Sequence, residues 1–326
     1  MKIVPACMLF LSGCAGRQSA LDAGGPSALA LENLMFLFVT VCGIVFVLVM
    51  GVMAWALVRR RNHPPGRPQT ERSMGWVVAG AIVATVVVTT FLTAASFYAT
   101  PSLERGQANP PTIVVRGQQW WWQFTYLDPD PTKSFQTANE LHIPVGTDVR
   151  LRLEASDVIH SFWVPNLTGK QDLVPGRENA LTLNASKPGV YRGQCAEFCG
   201  LQHSHMALLI VAEEPEDYVR WIEAQRGAAA APMEGDAAAG KLVFMSKPCA
   251  ACHTIRGTAA SGTSGPDLTH VARRSTIGAG LMANTRGSMA AWIADPQTQK
   301  PGNNMPLVPV TSEELRQLSA YMSALR

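Results

Sequence analysis

Two long apolar runs without charge lie near the start of the chain. They cover residues 33–58 and 73–103, and each exceeds the ~20 residues that a helix needs to cross a bilayer. The loop between them is rich in arginine and holds one acidic residue, Glu71. Because positive loops stay on the cytoplasmic side, we expect a transmembrane hairpin, with helices over about 33–58 and 74–100 and both ends on the outer face. The arginines of the loop are Arg59, Arg60, Arg61, Arg67 and Arg72.

The next part of the chain has short runs of β-branched and aromatic residues separated by turn residues. Residues 149–153 alternate with the period of a half-buried strand. This pattern favours an all-β sandwich over residues 106–225. Pro215 is expected to open a helix whose apolar residues, such as Trp221, recur at helical spacing. The strand candidates are residues 112–115, 149–153, 180–183 and 208–211.

The last part of the chain has a helical pattern. Residues 226–236 are rich in alanine and predict a linker, and residues 237–326 follow as a compact domain. Helices are expected over residues 288–295 and 311–325, and the second opens with a Thr-x-x-Glu capping box. We therefore predict an all-α third domain.

The first residues resemble a bacterial leader. Lys2 and an apolar run precede Leu11-Ser12-Gly13-Cys14, which predicts a signal peptide over residues 1–13 and a lipobox that ends at Cys14. A plain leader with an accidental cysteine is the alternative. Residues 14–104 would then form the N-terminal segment and the hairpin.

The formal charge of +3 hides an asymmetry between the two soluble parts. Residues 106–225 hold nine Lys/Arg against fourteen Asp/Glu, whereas residues 237–326 hold nine against four. Opposite charges predict that the two parts dock on each other. Ordinary surface variation is the alternative. No stretch has the basic pattern of a nucleic-acid surface.

Two close cysteine pairs indicate cofactor sites. Cys195 and Cys199 share one short loop with His203 and Met206, and this set of soft donors favours copper. A second cysteine four residues after the first lets two sulfurs bridge two metals. A disulfide and a zinc site remain alternatives.

The second pair lies in Cys249-Ala250-Ala251-Cys252-His253. Two thiols one helical turn apart, with an adjacent imidazole, are typical of covalent heme c attachment. A redox disulfide is the alternative, but such motifs usually lie in a βαβ unit. Met305 is the predicted sixth ligand of heme iron. Met282, Met289 and Met322 are other candidates, and Met289 and Met322 fall in predicted helices.

These motifs resemble those of a known family. Residues 195–206 match the CuA loop of cytochrome oxidase subunit II, Cys-x-Glu-x-x-Cys-Gly-x-x-His-Ser-x-Met, at all fixed positions. Residues 157–165 and 170–177 are similar to two further blocks of that family, and residues 249–305 resemble class I cytochrome c, including Gly265-Pro266-Asp267-Leu268. The resemblance implies a cupredoxin-like sandwich and a class I cytochrome c domain.

The same resemblance implies a set of ligands. Cys195 and Cys199 would bridge two coppers, with His160 and His203 as terminal ligands. Met206 and the carbonyl of Glu197 would be weak ligands, and the Glu197 carboxylate would face a magnesium ion shared with subunit I. Four other histidines are expected to be structural or to face solvent: His63, His142, His205 and His270.

Three adjacent tryptophans, Trp120, Trp121 and Trp122, cannot all face one core, because side chains alternate along a strand. They resemble the aromatic segment of subunit II in which a tryptophan passes electrons to copper. Trp120 best matches that position and Trp121 is the competitor.

One departure from the family lies at the start of the second apolar run. Relatives usually carry a glutamate three residues before a tryptophan, and this glutamate is implicated in proton uptake. Here Ser73 stands three residues before Trp76. Glu71 lies two residues further back, and its role is open.

The resemblance implies subunit II of a cytochrome c oxidase in a bacterial plasma membrane. Electrons would come from cytochrome c or another periplasmic donor, enter at heme c, and pass through CuA to heme in subunit I, where oxygen is reduced and protons are pumped. Subunit III and membrane lipid are further expected partners. A quinol oxidase subunit shares the fold without the copper ligands, and a membrane-tethered carrier or copper-delivery protein needs no oxidase partner.

Overall fold

The computed structural model describes residues 16, 18–61, 71–104, 110–230, 232 and 234–326. The predicted signal peptide, Cys14, His63 and Arg67 lie outside the described residues. The described chain forms two compact units. One is the helical hairpin from residue 29 onward, and the other combines residues 16–28 with everything after residue 109.

The hairpin consists of two long helices, α1 (Pro26–Arg61) and α2 (Glu71–Glu104). Their most apolar stretches have mean hydropathies of 2.8 and 2.2, and almost none of these stretches is buried. Both helices are long and apolar enough to cross a membrane. They extend beyond the predicted bounds, which stopped at the charged residues, because arginine and glutamate are themselves good helix formers.

Ten strands form a sandwich of two five-stranded sheets. One sheet has the order β3-β2-β1-β5-β8 and the other β4-β10-β9-β6-β7. The pairs β1–β5 and β4–β10 are parallel, and the other pairs are antiparallel. The strands are β1 (Thr112–Gln118), β2 (Trp121–Tyr126), β3 (Phe135–Ala138), β4 (Glu140–Pro144), β5 (Val149–Ala155), β6 (His160–Trp163), β7 (Gln171–Leu173), β8 (Asn179–Leu183), β9 (Gly189–Cys195) and β10 (Ala207–Glu213).

The core of the sandwich follows the predicted alternation. Val149, Leu151 and Leu153 are fully buried on β5, whereas Arg150 between them is exposed. All four predicted strand regions are strands in the structure. Helix α3 (Pro215–Arg226) closes one side of the sandwich, as the helical spacing after Pro215 predicted, and packs through Trp221.

His142 is one of the histidines expected to be structural, and it lies buried on β4. Its ring stacks on Trp221 with centroids 4.0 Å apart, and its two nitrogens lie 3.3 Å from Glu140 and 3.1 Å from Glu213. Burial opposes the charged form of His142, but the hydrogen bonds to both glutamates outweigh it and raise the pKa of this imidazole. The histidine therefore joins α3 to the sheet.

The C-terminal domain is helical, with α4 packed against α8. A Cβ on Gly240 of α4 would lie 2.1 Å from the carbonyl oxygen of Gln317, so the glycine allows this close approach. The predicted capping box at Thr311 is present. A two-stranded hairpin was not predicted, because its strands are too short to show a period. The elements are α4 (Gly235–Ser246), α5 (Cys249–Cys252), β11 (Thr276–Ile277), β12 (Met282–Ala283), α6 (Arg286–Ala294), α7 (Pro296–Gln299) and α8 (Ser312–Ala324).

The C-terminal domain lies directly against the sandwich. Ser275 N donates to Glu140 Oε2 at 2.9 Å, and Ala207 N donates to Ala279 O at 3.0 Å. No ion pair between described residues joins the two domains. The predicted docking is therefore present, and hydrogen bonds form the contacts between the two domains.

Candidate metal centres

The sheet register brings the two parts of the predicted copper site together. Phe162 on β6 pairs with Cys195 at the end of β9, so His160 at the start of β6 lies beside the loop that begins at Cys195. This loop, residues 195–206, runs from β9 to β10 and is called the copper loop below. Antiparallel pairing thus places residues 35 positions apart in one site.

Six predicted donors converge at the copper loop. The Sγ atoms of Cys195 and Cys199 are 3.7 Å apart. His160 Nδ1 lies 3.9 Å from Cys195 Sγ, and His203 Nδ1 lies 3.6 Å from Cys199 Sγ. Met206 Sδ is 3.9 Å from Cys199 Sγ, and the Glu197 carbonyl oxygen is 3.2 Å from Cys195 Sγ.

The chemistry of this donor set fits a soft metal. The donor atoms of His160, Cys195 and Cys199 all lie within 4.8 Å of one another, and the three residues are buried. Both cysteines are free thiols, so the disulfide alternative is not adopted. Thiolate, imidazole and thioether ligands together favour copper. Structural zinc sites usually have four cysteine or histidine ligands and no thioether.

The two thiols are strongly coupled. Their mutual hydrogen bond lowers the pKa of Cys195 and raises that of Cys199, so one proton is shared between them. A metal binds thiolates and displaces such a proton.

Asp157 orients His160, and sequence reasoning assigned it no role. Its Oδ1 lies 2.9 Å from His160 Nε2, which turns Nδ1 toward Cys195. A metal-binding histidine usually donates its other ring N–H to a carboxylate in this way. The signal was present in the sequence as an aspartate three residues before the histidine. Gly117 contributes by its lack of a side chain, because a Cβ there would lie 2.9 Å from the His160 ring.

The three tryptophans have different environments. Trp122 is fully buried and packs edge-to-face on Phe162. Trp121 is half-buried. Trp120 is buried in the turn before β2, and its Nε1 donates to the carbonyl of Cys199 at 2.9 Å. The expectation that they cannot share one core is confirmed, but Trp120 is covered by the C-terminal domain and not exposed.

A cavity of about 520 Å³ lies in the C-terminal domain and extends to the sandwich. Cys249, Cys252, His253 and Met305 line it, as do Trp120 and Trp121. His253 Nδ1 donates to the Pro266 carbonyl at 2.8 Å, which directs Nε2 away from that bond. Burial lowers the pKa of His253 and so favours the neutral imidazole that binds metals.

Met305 lies in a loop that is held by hydrogen bonds. Its N–H donates to Asn303 Oδ1 at 2.8 Å, and its carbonyl accepts from Gln297 at 2.8 Å. Met289 and Met322 also line the cavity, but both are buried on helices of the core. Met282 lies on β12.

The cavity fits a heme by its size and its charge. Its wall is mostly apolar, and its charged lining residues are the cations Arg274 and Lys300. The Lys300 ammonium already donates to three backbone carbonyls, so Arg274 is the cation available to a ligand. No acidic residue is among the described lining residues. A flat apolar group that carries carboxylates matches this lining. Gly265 leaves room for the imidazole, because a Cβ there would lie 2.6 Å from the His253 ring.

Other predicted residues lie at the edge of these sites. The Glu197 side chain and His203 are half-exposed, and His205 is exposed with Nδ1 2.8 Å from Gln202 Oε1. His270 Nε2 lies 3.1 Å from the Gly227 carbonyl. Glu71 begins α2, and its side chain is outside the described residues.

Comparisons with known proteins agree with this arrangement. The family described as "Cytochrome C oxidase subunit II, periplasmic domain" matches residues 127–213, and the family "Cytochrome c" matches residues 237–326. Cytochrome c oxidase subunit 2 of Alkalihalophilus pseudofirmus is 36% identical over 330 residues, which cover 98% of this chain and 94% of that one. The chain belongs to the cytochrome c oxidase subunit 2 family.

Two further relatives match smaller parts of the chain. Quinol oxidase subunit 2 of Bacillus cereus is 28% identical over 226 residues, which cover 66% of this chain and 76% of that one. The solved periplasmic domain of subunit II of cytochrome oxidase from Bradyrhizobium japonicum is 31% identical and covers 37% of this chain and 97% of that one, with a TM-score of 0.35. The family model matches and the Alkalihalophilus pseudofirmus relative confirm the resemblance read from the motifs, in a chain that combines a subunit II domain with a cytochrome c domain.

Proposed function

We propose that this subunit receives electrons from cytochrome c or another periplasmic donor at a covalently held heme c and delivers them through a dinuclear copper site to heme in subunit I. Oxygen reduction and proton pumping would take place in that partner. Two apolar helices would hold the chain in the bacterial plasma membrane beside subunit I, with subunit III and lipid as further neighbours. When bound, copper and heme supply the reversible one-electron chemistry.

The proposed roles of the residues follow the two clusters. Cys195 and Cys199 would bridge the coppers, with His160, His203, Met206 and the Glu197 carbonyl completing the set. The half-exposed Glu197 carboxylate would face magnesium at the boundary with subunit I. Cys249, Cys252, His253 and Met305 would hold the heme.

The observation that carries this proposal is the position of Trp120. Its side chain lines the cavity of the cytochrome domain, and its Nε1 is hydrogen-bonded to the carbonyl of Cys199. One aromatic side chain therefore contacts both candidate centres. Trp121 lines the same cavity, but no hydrogen bond to the copper loop is recorded for it among the described residues. This supports Trp120 over Trp121 as the electron-entry residue.

Flash reduction of the full chain, loaded with heme and copper, tests this function. We expect heme oxidation and copper reduction to share one first-order rate constant. Trp120→Phe should slow that step, whereas Trp121→Phe, the matched control, should change it less. A heme that stays reduced beside oxidised copper would contradict the proposal.

Partnership with an oxidase needs a separate test. An affinity-tagged chain expressed in its own host should co-purify with a large multi-helix subunit and with oxygen-reducing activity. A tethered carrier would purify alone, and that result would contradict the oxidase assignment for this chain.

A further inference from the structure

Lys300 is a buried lysine at the boundary of the two soluble domains. It follows α7 in the cytochrome domain, five residues before Met305, and is only 2% exposed. Its ammonium donates to the Gly278 carbonyl of its own domain at 3.0 Å. It also donates across the boundary, to the carbonyls of Trp120 at 2.8 Å and His205 at 2.7 Å. A lysine has three N–H donors, so the set is complete.

This arrangement buries a charge without an ion pair. No carboxylate of the described residues forms a salt bridge with Lys300. Burial lowers the pKa of this ammonium to about 7, and the nearby Cys199 sulfur opposes that shift. An apolar side chain of similar length would avoid the desolvation cost. The lysine is therefore better explained by the geometry that it fixes than by stability.

The segment after Lys300 is also fitted to the copper loop. Gln202 Nε2 donates to the Pro301 carbonyl at 2.9 Å, and Asn304 Nδ2 donates to the Gln119 carbonyl at 3.2 Å. A Cβ on Gly302 would lie 3.1 Å from a side-chain carbon of the copper loop. The loop that carries the predicted heme ligand thus lies directly on the tryptophan and copper segments.

We propose that Lys300 is a positioning residue for electron transfer between the two centres. Its ammonium holds the Met305 loop, the Trp120 turn and the copper loop in one fixed arrangement. This inference rests on the proposed function, and it adds a residue that contacts neither candidate ligand set through its own side chain. Lys300 lines the heme cavity, but its three N–H donors are all bound to backbone carbonyls. Removal of Lys300 should therefore leave both centres intact and impair only the step between them.

The test compares the full chain with Lys300→Met, which keeps length and removes the ammonium. Lys241→Met on α4 is the matched control, since no partner is recorded for that lysine among the described residues. A flash-reduced heme loses one electron as the copper site gains one. Because a transfer step depends on a fixed geometry between its partners, we expect Lys300→Met to slow this step severalfold. Its heme and copper spectra, and direct reduction of copper by a small-molecule reductant, should match wild type.

Each other outcome has a definite meaning. Wild-type transfer in Lys300→Met with both centres intact would overturn the positioning role. Loss of heme or copper from Lys300→Met leads to the same measurement on Lys300→Gln, which retains N–H donors. If both variants fail to load, the proposal is also wrong, because a positioning residue is not needed for either centre to form. Absence of electron transfer from heme to copper in the wild-type chain would instead contradict the proposed function.

Discussion

Asp157 accepts two hydrogen bonds that connect the candidate copper site with the tryptophan segment. Its Oδ1 lies 2.9 Å from His160 Nε2, and its Oδ2 accepts from the backbone N–H of Gln119 at 2.6 Å. Asp157→Asn keeps the shape of the side chain, but its amide nitrogen accepts no hydrogen bond. The imidazole then loses its charged partner or the Gln119 N–H loses its acceptor.

The expected magnitude follows from this geometry. Loss of a carboxylate behind a metal-binding histidine costs ~10–100-fold in metal affinity, about 1.4–2.7 kcal/mol. The Asp157 side chain is 28% exposed, so water can replace part of the lost interaction. We therefore expect the lower end of the range, about tenfold weaker copper binding by Asp157→Asn.

Chelator competition, followed by the absorption of copper–thiolate bonds, measures this loss. Asp172→Asn is the matched control, because Asp172 lies on β7 beside β6 and shows no contact with His160 among the recorded bonds. Equal copper affinity in Asp157→Asn and wild type would refute the orienting role. An equal loss of copper affinity in Asp172→Asn would show that the removed negative charge, and not the contact with His160, weakens copper binding.

Further predictions concern the heme cavity and the sandwich. Gly265→Ala should displace the His253 ring, destabilise the domain by ~1–3 kcal/mol and change the heme spectrum. Gly287→Ala is the control and should be neutral, because the atom nearest to its new Cβ is 3.9 Å away. Unchanged heme spectra in both variants would contradict this prediction. Burial opposes the charged form of His142, but its hydrogen bonds to two glutamates raise its pKa. The free energy that protonated His142 adds to the folded state is therefore complete below pH ~6.5 and is lost as the pH rises through the higher folded-state pKa. The melting temperature of the wild-type chain should fall as the pH rises through that range, and His142→Gln should remove this pH dependence. Identical pH profiles for the two proteins would show that His142 does not titrate in that range.

Much of the fold is predictable because its periods are long or strongly marked. The uncharged runs gave α1 and α2, and the alternation at 149–153 gave β5. The capping box marked the start of α8. Helices α1 and α2 extend beyond the predicted membrane spans, because charged residues end an apolar run without ending a helix.

The candidate ligands of the two sites could be predicted from the sequence, but the contacts that support them could not. The cysteine spacings and the copper loop are local, so the sequence shows them directly. The contact of Lys300 with Trp120 joins residues 180 positions apart, and no local pattern predicts it. Charge counts predicted that the domains dock, but they could not show that backbone carbonyls form the contact.

Metal analysis of the full chain, matured with heme and copper, tests the central claim most directly. The donor sets predict about two copper atoms for each covalently held heme iron. Zinc in the copper loop, or no metal besides the heme iron, would contradict the dinuclear copper site and with it the proposed path of electrons through this subunit.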